Sequence, residues 1–440
     1  MAAGTEAPSP PTVHGNGAGR RVRIAVVGSG VAGIVASHVL SREHDVTLIE
    51  REDRIGGHTN TVTVAAGEDA GTPVDTGFIV LNDRTYPTFL KFLAELGVAT
   101  REACMSFGFH DEQTGLQYAG TNLAGLFAQP LNALRPSFLG MVRDIGRFNK
   151  AALADLDGGR LGDVTLADYV AAGAYRREFV ENYLVPMGAA IWSTPADEMM
   201  AFPATVFIRF FKNHGLLTLG DRPTWRTVVG GSHSYLKAFT ASFPGTIRTG
   251  ERLACIRRTD DGATLRFDDG HEESFDRIVI ATHADQALEL LADPTDDEKR
   301  LLGPWGYQKN HTVLHRDSSV LPPNKRAWAS WNYTREDSSR RDGTMSLTYH
   351  MNRLQGLPAA KNDWCVTLNR AKPVASGTME AEFHYEHPTF TREAAAAQAE
   401  LPSLNGVRNT WFCGSYFGFG FHEDAVKAGA AVGASMGLAL

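Results

Sequence analysis

The feature that most constrains this chain is a strand, glycine turn, helix and strand near its N-terminus. Ile24-Ala25-Val26-Val27 is a short, wholly apolar run suited to a buried parallel strand. Gly28-Ser29-Gly30-Val31-Ala32-Gly33 follows at once, then a helical stretch to about Ser41. A second apolar run, Val46-Thr47-Leu48-Ile49, ends at Glu50. The whole fits one βαβ unit of about 30 residues. In such a turn the first glycine permits the tight bend. The second lets the backbone approach a pyrophosphate, and the third lets helix and strand pack closely. The helix N-terminus then offers N–H groups and a positive dipole to phosphates, with Ser29 and Ala32 inside the turn. Glu50 lies 22 residues after Gly28, where a carboxylate can accept both hydroxyls of a ribose. The pattern predicts a dinucleotide-binding α/β domain.

At 440 residues the chain has room for two or three domains of roughly 150 residues each. Its 43 basic and 50 acidic side chains leave a net charge of −7, which argues against nucleic acid as a partner. Four cysteines, Cys104, Cys255, Cys365 and Cys413, form no CxxC pair, so neither a disulfide framework nor a zinc ribbon is expected. Residues 1–20, rich in Gly, Pro and Ala, read as a disordered tail without a signal-peptide core. The apolar stretch 24–40 is too short and glycine-rich to span a bilayer. A cytoplasmic location is expected, with transient contact at a membrane surface left open.

Further along, a helix is expected over 87–96, with Pro87 in its first turn and Gly97 as its stop. Residues 100–225 read as mostly helical and aromatic-rich. Turn signals at 258–262 and 268–270 predict a three-stranded meander. Arg277-Ile278-Val279-Ile280-Ala281 then returns a buried strand to the main sheet. Residues 326–370 alternate β-prone segments, and Thr410-Trp411-Phe412 leads into a last glycine turn and helix.

Beyond Glu50 the chain continues Arg51-Glu52-Asp53-Arg54-Ile55-Gly56-Gly57-His58-Thr59. A second glycine pair just after the ribose carboxylate suits a cofactor extending past its adenosine half. Here the sequence resembles the flavin-containing amine oxidase and phytoene-desaturase superfamily, whose signature runs from the glycine turn through an acid to Arg-x-Gly-Gly. The resemblance recurs at Val74-Asp75-Thr76-Gly77, Val229-Gly230-Gly231-Ser232 and the strand around Leu253. It recurs again at Phe412-Cys413-Gly414-Ser415 and in the helix opening at Phe421-His422-Glu423-Asp424-Ala425. More narrowly, Gly57-His58-Thr59-Asn60-Thr61, Asp75-Thr76-Gly77-Phe78-Ile79-Val80, Trp331-Asn332-Tyr333 and Gly420-Phe421-His422-Glu423-Asp424 are similar to a bacterial subfamily of FAD oxidoreductases. That subfamily accompanies enzymes modifying unsaturated acyl chains.

The resemblance implies a Rossmann-like FAD-binding domain with the meander, plus an interleaved α+β substrate domain. The expected cofactor domain comprises 21–100, 226–290 and 405–440, and the substrate domain 101–225 and 291–404. It implies non-covalent FAD held by Gly28, Ser29, Gly30, Ala32, Gly33, Glu50, Arg51, Arg54, Gly56, Gly57, His58, Thr59, Leu253, Gly414, Ser415, Phe421, His422 and Ala425. Ser415 stands where the superfamily often has an acid, and His58 where it often has Arg. His58 and His422 are the catalytic candidates, with Tyr416 and Asn60 behind them, because a flavin needs little from the protein beyond position, charge and protons. Trp192, Phe207, Phe210, Phe211, Trp225, Trp328 and Trp331 are either core or the lining of an apolar tunnel. His311, His315, His384 and His387 give no metal pattern. The expected activity removes two electrons from an apolar, lipid-like small molecule. Amine oxidation, redox-neutral double-bond isomerisation and a non-catalytic binding role like that of GDP dissociation inhibitors are the rivals.

Overall fold

The computed structural model describes residues 21–192, 196–218, 220, 222–336 and 346–440. The expected disordered tail lies outside the described residues. The chain divides into two compact units, one of residues 1–57, 242–304 and 394–440, the other of 58–241 and 305–393.

The first unit is built on a parallel five-stranded sheet. Arg23–Val27 lies at its centre, between Asp45–Ile49 and Arg277–Ile280. Thr246–Arg248 and Thr410–Phe412 form the two edges. The central strand is apolar throughout, as suits a parallel sheet buried on both faces; Ile24, Ala25 and Val26 are fully buried. The helix Val31–Leu40 packs on the C-terminal helix His422–Ser435. Their close approach depends on Gly429, where a Cβ would stand 2.3 Å from the Ala32 carbonyl oxygen. The meander is present as Leu253–Thr259, Gly262–Phe267 and Glu272–Phe275, all antiparallel. Leu253 sits beside its one register shift.

The second unit contains a mixed seven-stranded sheet and most of the helices, among them Pro136–Asp157 and Ala204–Asn213. The expected helix appears as Pro87–Glu95, and Gly97 follows with φ +68°. The observed units divide the chain differently from the expected domain bounds. Residues 58–100 and 226–241 cluster with the second unit, and 291–304 and 394–404 with the first. The reason is hydrogen bonding: Leu81–Asn82, Thr100–Glu102 and Trp225–Val228 make a sheet of their own and do not join the parallel one. The described part of 100–225 is mostly helical, as expected, with the strands Phe107–Asp111 and Gln117–Ala119 ahead of its first helix. Phe107 and Phe109 sit in a β-rich alternation that the helical composition further along masks.

Asp75 is a pH-sensitive element of this second unit. Its Oδ1 accepts from the Thr61 hydroxyl (2.5 Å) and from the Ser232 amide and hydroxyl (2.8 Å each). Its Oδ2 is buried with no hydrogen-bond partner among the described residues. Burial pushes this carboxyl up to about 6 from its ordinary 3.8. The folded chain therefore holds a proton that the unfolded chain has released between those values. The contribution of Asp75 to stability is greatest below about pH 4 and falls as pH rises to about 6, by about 3 kcal/mol. Urea melts of wild type and Asp75→Asn across pH 4 to about 7 check this. The variant is expected to gain on the wild type as pH rises; parallel curves would contradict it.

Candidate cofactor site

The glycine turn separates fold requirements from ligand requirements. Gly28 has φ +97°, and a Cβ there would meet the Ala281 carbonyl oxygen at 2.8 Å. A Cβ on Gly33 would lie 2.0 Å from the Gly28 carbonyl oxygen. Those two glycines are needed for the chain to close on itself. Gly30 differs, because its Cβ would meet no protein atom within 4 Å and its φ is an ordinary −59°. The fold does not need glycine there, so the open space in front of it fits a ligand backbone.

The helix that starts after Gly30 has no side-chain cap and no acidic residue in its first turn. Val31, Ala32 and Gly33 are buried, and the first amide bonded within the helix is that of Ile34, to the Gly30 carbonyl at 3.0 Å. Amides ahead of it point outward for an anion to accept, which is what a pyrophosphate provides. Glu50 is held for its role by its neighbours. Oε2 accepts from the Ser29 amide (2.9 Å) and hydroxyl (2.5 Å), while Oε1 accepts from the Glu52 amide (2.9 Å). Oε1, with one bond accepted, keeps a lone pair for a further donor. Glu50→Ala is expected to raise the dissociation constant for FAD roughly 10- to 100-fold, by leaving ribose hydroxyls without their acceptor. Fluorescence titration of apoprotein measures it, and an unchanged constant removes Glu50 from the site.

The second glycine pair is tied to the same turn. Gly56 (φ +113°) donates its amide to the Ser29 carbonyl at 3.0 Å. Gly57 (φ +56°) comes close enough that a Cβ would lie 3.2 Å from the Gly30 Cα. Arg54 donates to the Gly57 carbonyl (2.9 Å), and Arg51 pairs with Glu52 (3.1 Å); both side chains are exposed.

At the other end of this unit, Gly414 and Ser415 follow the edge strand, and Ser415–Phe417 forms a single 3-10 turn. Tyr416 is buried, its ring filling the space where a Gly414 Cβ would go, so it offers no surface to a reactant. Sequence reasoning quoted Asp424 in a motif but did not single it out. Its Oδ2 accepts the amides of Phe419 and Phe421 (3.0 Å each) and so shapes the loop before the last helix. Burial pushes its carboxyl up to about 6. His422 is the first residue of that helix, and Ala425 lies buried within it.

His58 and Thr59 fall in the second unit. The Thr59 hydroxyl bonds the Tyr235 hydroxyl. The His58 ring packs 5.3 Å from Tyr385 and 5.2 Å from His387, centroid to centroid. Asn60 donates to the Tyr385 hydroxyl (2.9 Å), which also bonds Thr76 (2.8 Å). Burial, with the His58 ring beside it, holds His387 down at about 3, so it is neutral at physiological pH. Tyr385 and His387 lie more than 300 residues from His58, beyond any local signal.

Trp192 packs with Phe202 and Phe210 at 4.9 and 4.7 Å, and Phe207 stacks on Phe211 at 4.1 Å, so these are core. Trp331 meets Tyr349 edge-on at 5.1 Å, and its indole N–H is buried without a partner among the described residues. No group of His, Cys, Asp or Glu suited to a metal ion occurs among the described residues.

Residues 31–316 match the profile of the flavin-containing amine oxidoreductase family. The chain belongs to that family. Members are flavin-dependent oxidoreductases, and the cradle of Gly30, the uncapped helix and Glu50 fits FAD. The Mycobacterium tuberculosis protein AofH, named for a flavin-containing monoamine oxidase, is 27% identical over 290 residues. The match covers 62% of this chain and 59% of AofH, so the chain spans about three fifths of that relative's length. Among solved structures, putrescine oxidase matches with a TM-score of 0.66 at 14% identity, covering 95% of this chain and 99% of that one. A CLA-producing fatty acid isomerase from P. acnes matches with a TM-score of 0.64 at 17% identity, covering 93% and 97%. These likenesses establish the two-domain fold. No helix among the described residues is long and apolar enough to cross a membrane.

Proposed function

We propose that this chain is an FAD-dependent oxidoreductase that removes two electrons from an apolar, acyl-chain-bearing substrate. Bound FAD supplies the two-electron acceptor that no side chain of the protein can provide. The chain's own part is to hold and to orient. Amides at the start of Val31–Leu40 hold the pyrophosphate, and Glu50 holds the adenosine ribose. The helix His422–Ser435 presents its positive end beside His422. Forming a double bond, with the hydride going to the acceptor, also releases one proton, and His58, with His422 as the alternative, is the side chain proposed to take it.

The observation that carries the substrate reading is the setting of His58. The rings against it are Tyr385 and His387, a phenol and an imidazole kept neutral. Asn60 and Thr76 complete that hydrogen-bonded cluster without adding a charge. These ring partners are uncharged, which favours an uncharged reacting carbon chain. Lipid extraction and mass spectrometry of cells with and without this protein test the proposal. The expected result is a change in the unsaturation of an acyl-chain species, and identical lipid profiles would contradict it.

The kinship with AofH favours amine oxidation as a second reading. A purified holoprotein that oxidises simple amines while cellular lipids stay unchanged would select it. Redox-neutral isomerisation, the activity in the name of the P. acnes neighbour, differs in giving product without net flavin reduction.

A further inference from the structure

Seven large hydrophobic side chains are exposed among the described residues, and four of them, Leu123, Leu131, Leu134 and Leu139, fall in one stretch of the second unit. Leu123, Leu131 and Leu134 are 75%, 66% and 78% exposed. The stretch is an ordered chain of short elements. Leu123–Leu126 is a helical turn capped by Asn122, whose side chain accepts the Gly125 amide at 2.8 Å. Pro130–Leu134 is a 3-10 turn, and Pro136–Asp157 a long helix. In a 3-10 turn residues three apart eclipse, so Leu131 and Leu134 share a face.

That turn is inside out. Asn132, between the two leucines, is 0% exposed, and its Oδ1 has no hydrogen-bond partner among the described residues. Water on the outside would favour the opposite arrangement, with the amide out and the leucines in. One long-range and one local bond hold the turn as it is. The Asn324 side chain donates to the Ala128 carbonyl (2.6 Å), and the Asn132 backbone N–H donates to the Gln129 carbonyl (2.9 Å).

Along this stretch of the sequence the exposed charges have one sign. Between Glu112 and Asp144 the sequence has no acidic residue, while Arg135 and Arg143 are exposed. Asp144 is buried and bonded to Arg147 (2.6 Å) and to the Arg176 amide (2.9 Å). The turn Lys325–Ala327 packs on Leu123–Leu126 and exposes Lys325 and Arg326. A basic fringe thus surrounds the leucines on a chain of net charge −7.

We propose that residues 123–143, with Lys325 and Arg326 beside them, form a docking surface for an anionic lipid bilayer. The leucines enter the boundary between headgroups and acyl chains, and the basic side chains sit among the anionic headgroups. Contiguous exposed apolar surface with a polar rim marks an interaction site. The like charges of the fringe disfavour a symmetric contact with a second copy, which would set them against themselves. The proposal goes beyond the reaction proposed above and holds whatever the substrate is.

Cosedimentation of the holoprotein with vesicles tests it, using phosphatidylcholine alone or mixed with phosphatidylglycerol. The protein is expected to pellet with the mixed vesicles and far less with phosphatidylcholine, and added salt should weaken binding. Leu131→Asp/Leu134→Asp is expected to lower the bound fraction at least about tenfold, with FAD content and melting temperature unchanged. Binding of the double variant at the wild-type level would overturn the proposal, and so would equal binding to both kinds of vesicle. A wild-type dimer in vesicle-free buffer that the double variant dissociates would assign the surface to a second copy instead.

Discussion

Gly30→Val is expected to yield a folded, colourless protein that cannot be reconstituted with FAD. Folding survives because a Cβ at this position meets no protein atom within 4 Å and the φ of −59° suits an L-residue. Binding fails because the branched side chain fills the space in front of the uncapped helix, where the pyrophosphate backbone must approach. The loss is effectively complete, since no smaller movement both clears the methyls and keeps the helix amides on the phosphates. Gly33→Ala is the contrasting control. Its Cβ would stand 2.0 Å from the Gly28 carbonyl, so that variant loses the fold together with the cofactor. Circular dichroism and flavin absorbance on both variants separate the two causes. Normal flavin occupancy in folded Gly30→Val would show that the cradle lies elsewhere.

The second large effect concerns stability. Arg258→Met is expected to destabilise the protein by about 3–5 kcal/mol. The Arg258 side chain is 0% exposed and bonds both carboxylate oxygens of Glu298, itself 3% exposed, one of them at 2.9 Å. It also reaches the Asp293 carboxylate (3.1 Å) and carbonyl (2.8 Å). Glu298 in turn caps the helix Asp296–Leu302 by accepting the Thr295 amide at 2.8 Å. Removing the guanidinium leaves a buried carboxylate whose charge nothing compensates. With Arg258 present, its hydrogen bonds hold the Glu298 carboxyl below its ordinary value, against the opposing cost of burial. The wild type gains stability from this pair above the ordinary carboxylate range and loses it as pH falls. The deficit of Arg258→Met should therefore be largest near neutral pH and shrink on acidification. The double variant Arg258→Met/Glu298→Leu should recover most of the loss, because an apolar pair replaces both charges. Urea denaturation of the three proteins checks this, and an additive rather than compensating double variant would contradict it.

The sequence showed most clearly what is local. Gly28, Gly30, Gly33 and Glu50 belong to one βαβ unit, where the spacing of a turn, a helix and a strand is enough to place a carboxylate near the glycine turn. The meander was equally legible, because its turns at 258–262 and 268–270 carry their own chemistry. What it did not show depends on partners far apart in the chain. Whether residues 58–100 join the parallel sheet is decided by hydrogen bonds to Trp225–Val228, which no local pattern reports. The neutral surroundings of His58 come from Tyr385 and His387, on a strand more than 300 residues later. Asp424 was visible as a residue, but its role in shaping the loop needs the amides of Phe419 and Phe421 turned toward it. The burial of Tyr416 is likewise not visible from its position in a motif.

Anaerobic mixing of the purified yellow holoprotein with unsaturated fatty acids, and separately with a panel of primary and secondary amines, tests the central claim most directly. The account predicts that an acyl-chain substrate bleaches the flavin absorbance and leaves a product with one additional double bond, while the amines leave the spectrum unchanged. Bleaching by amines with none by any fatty acid would contradict it.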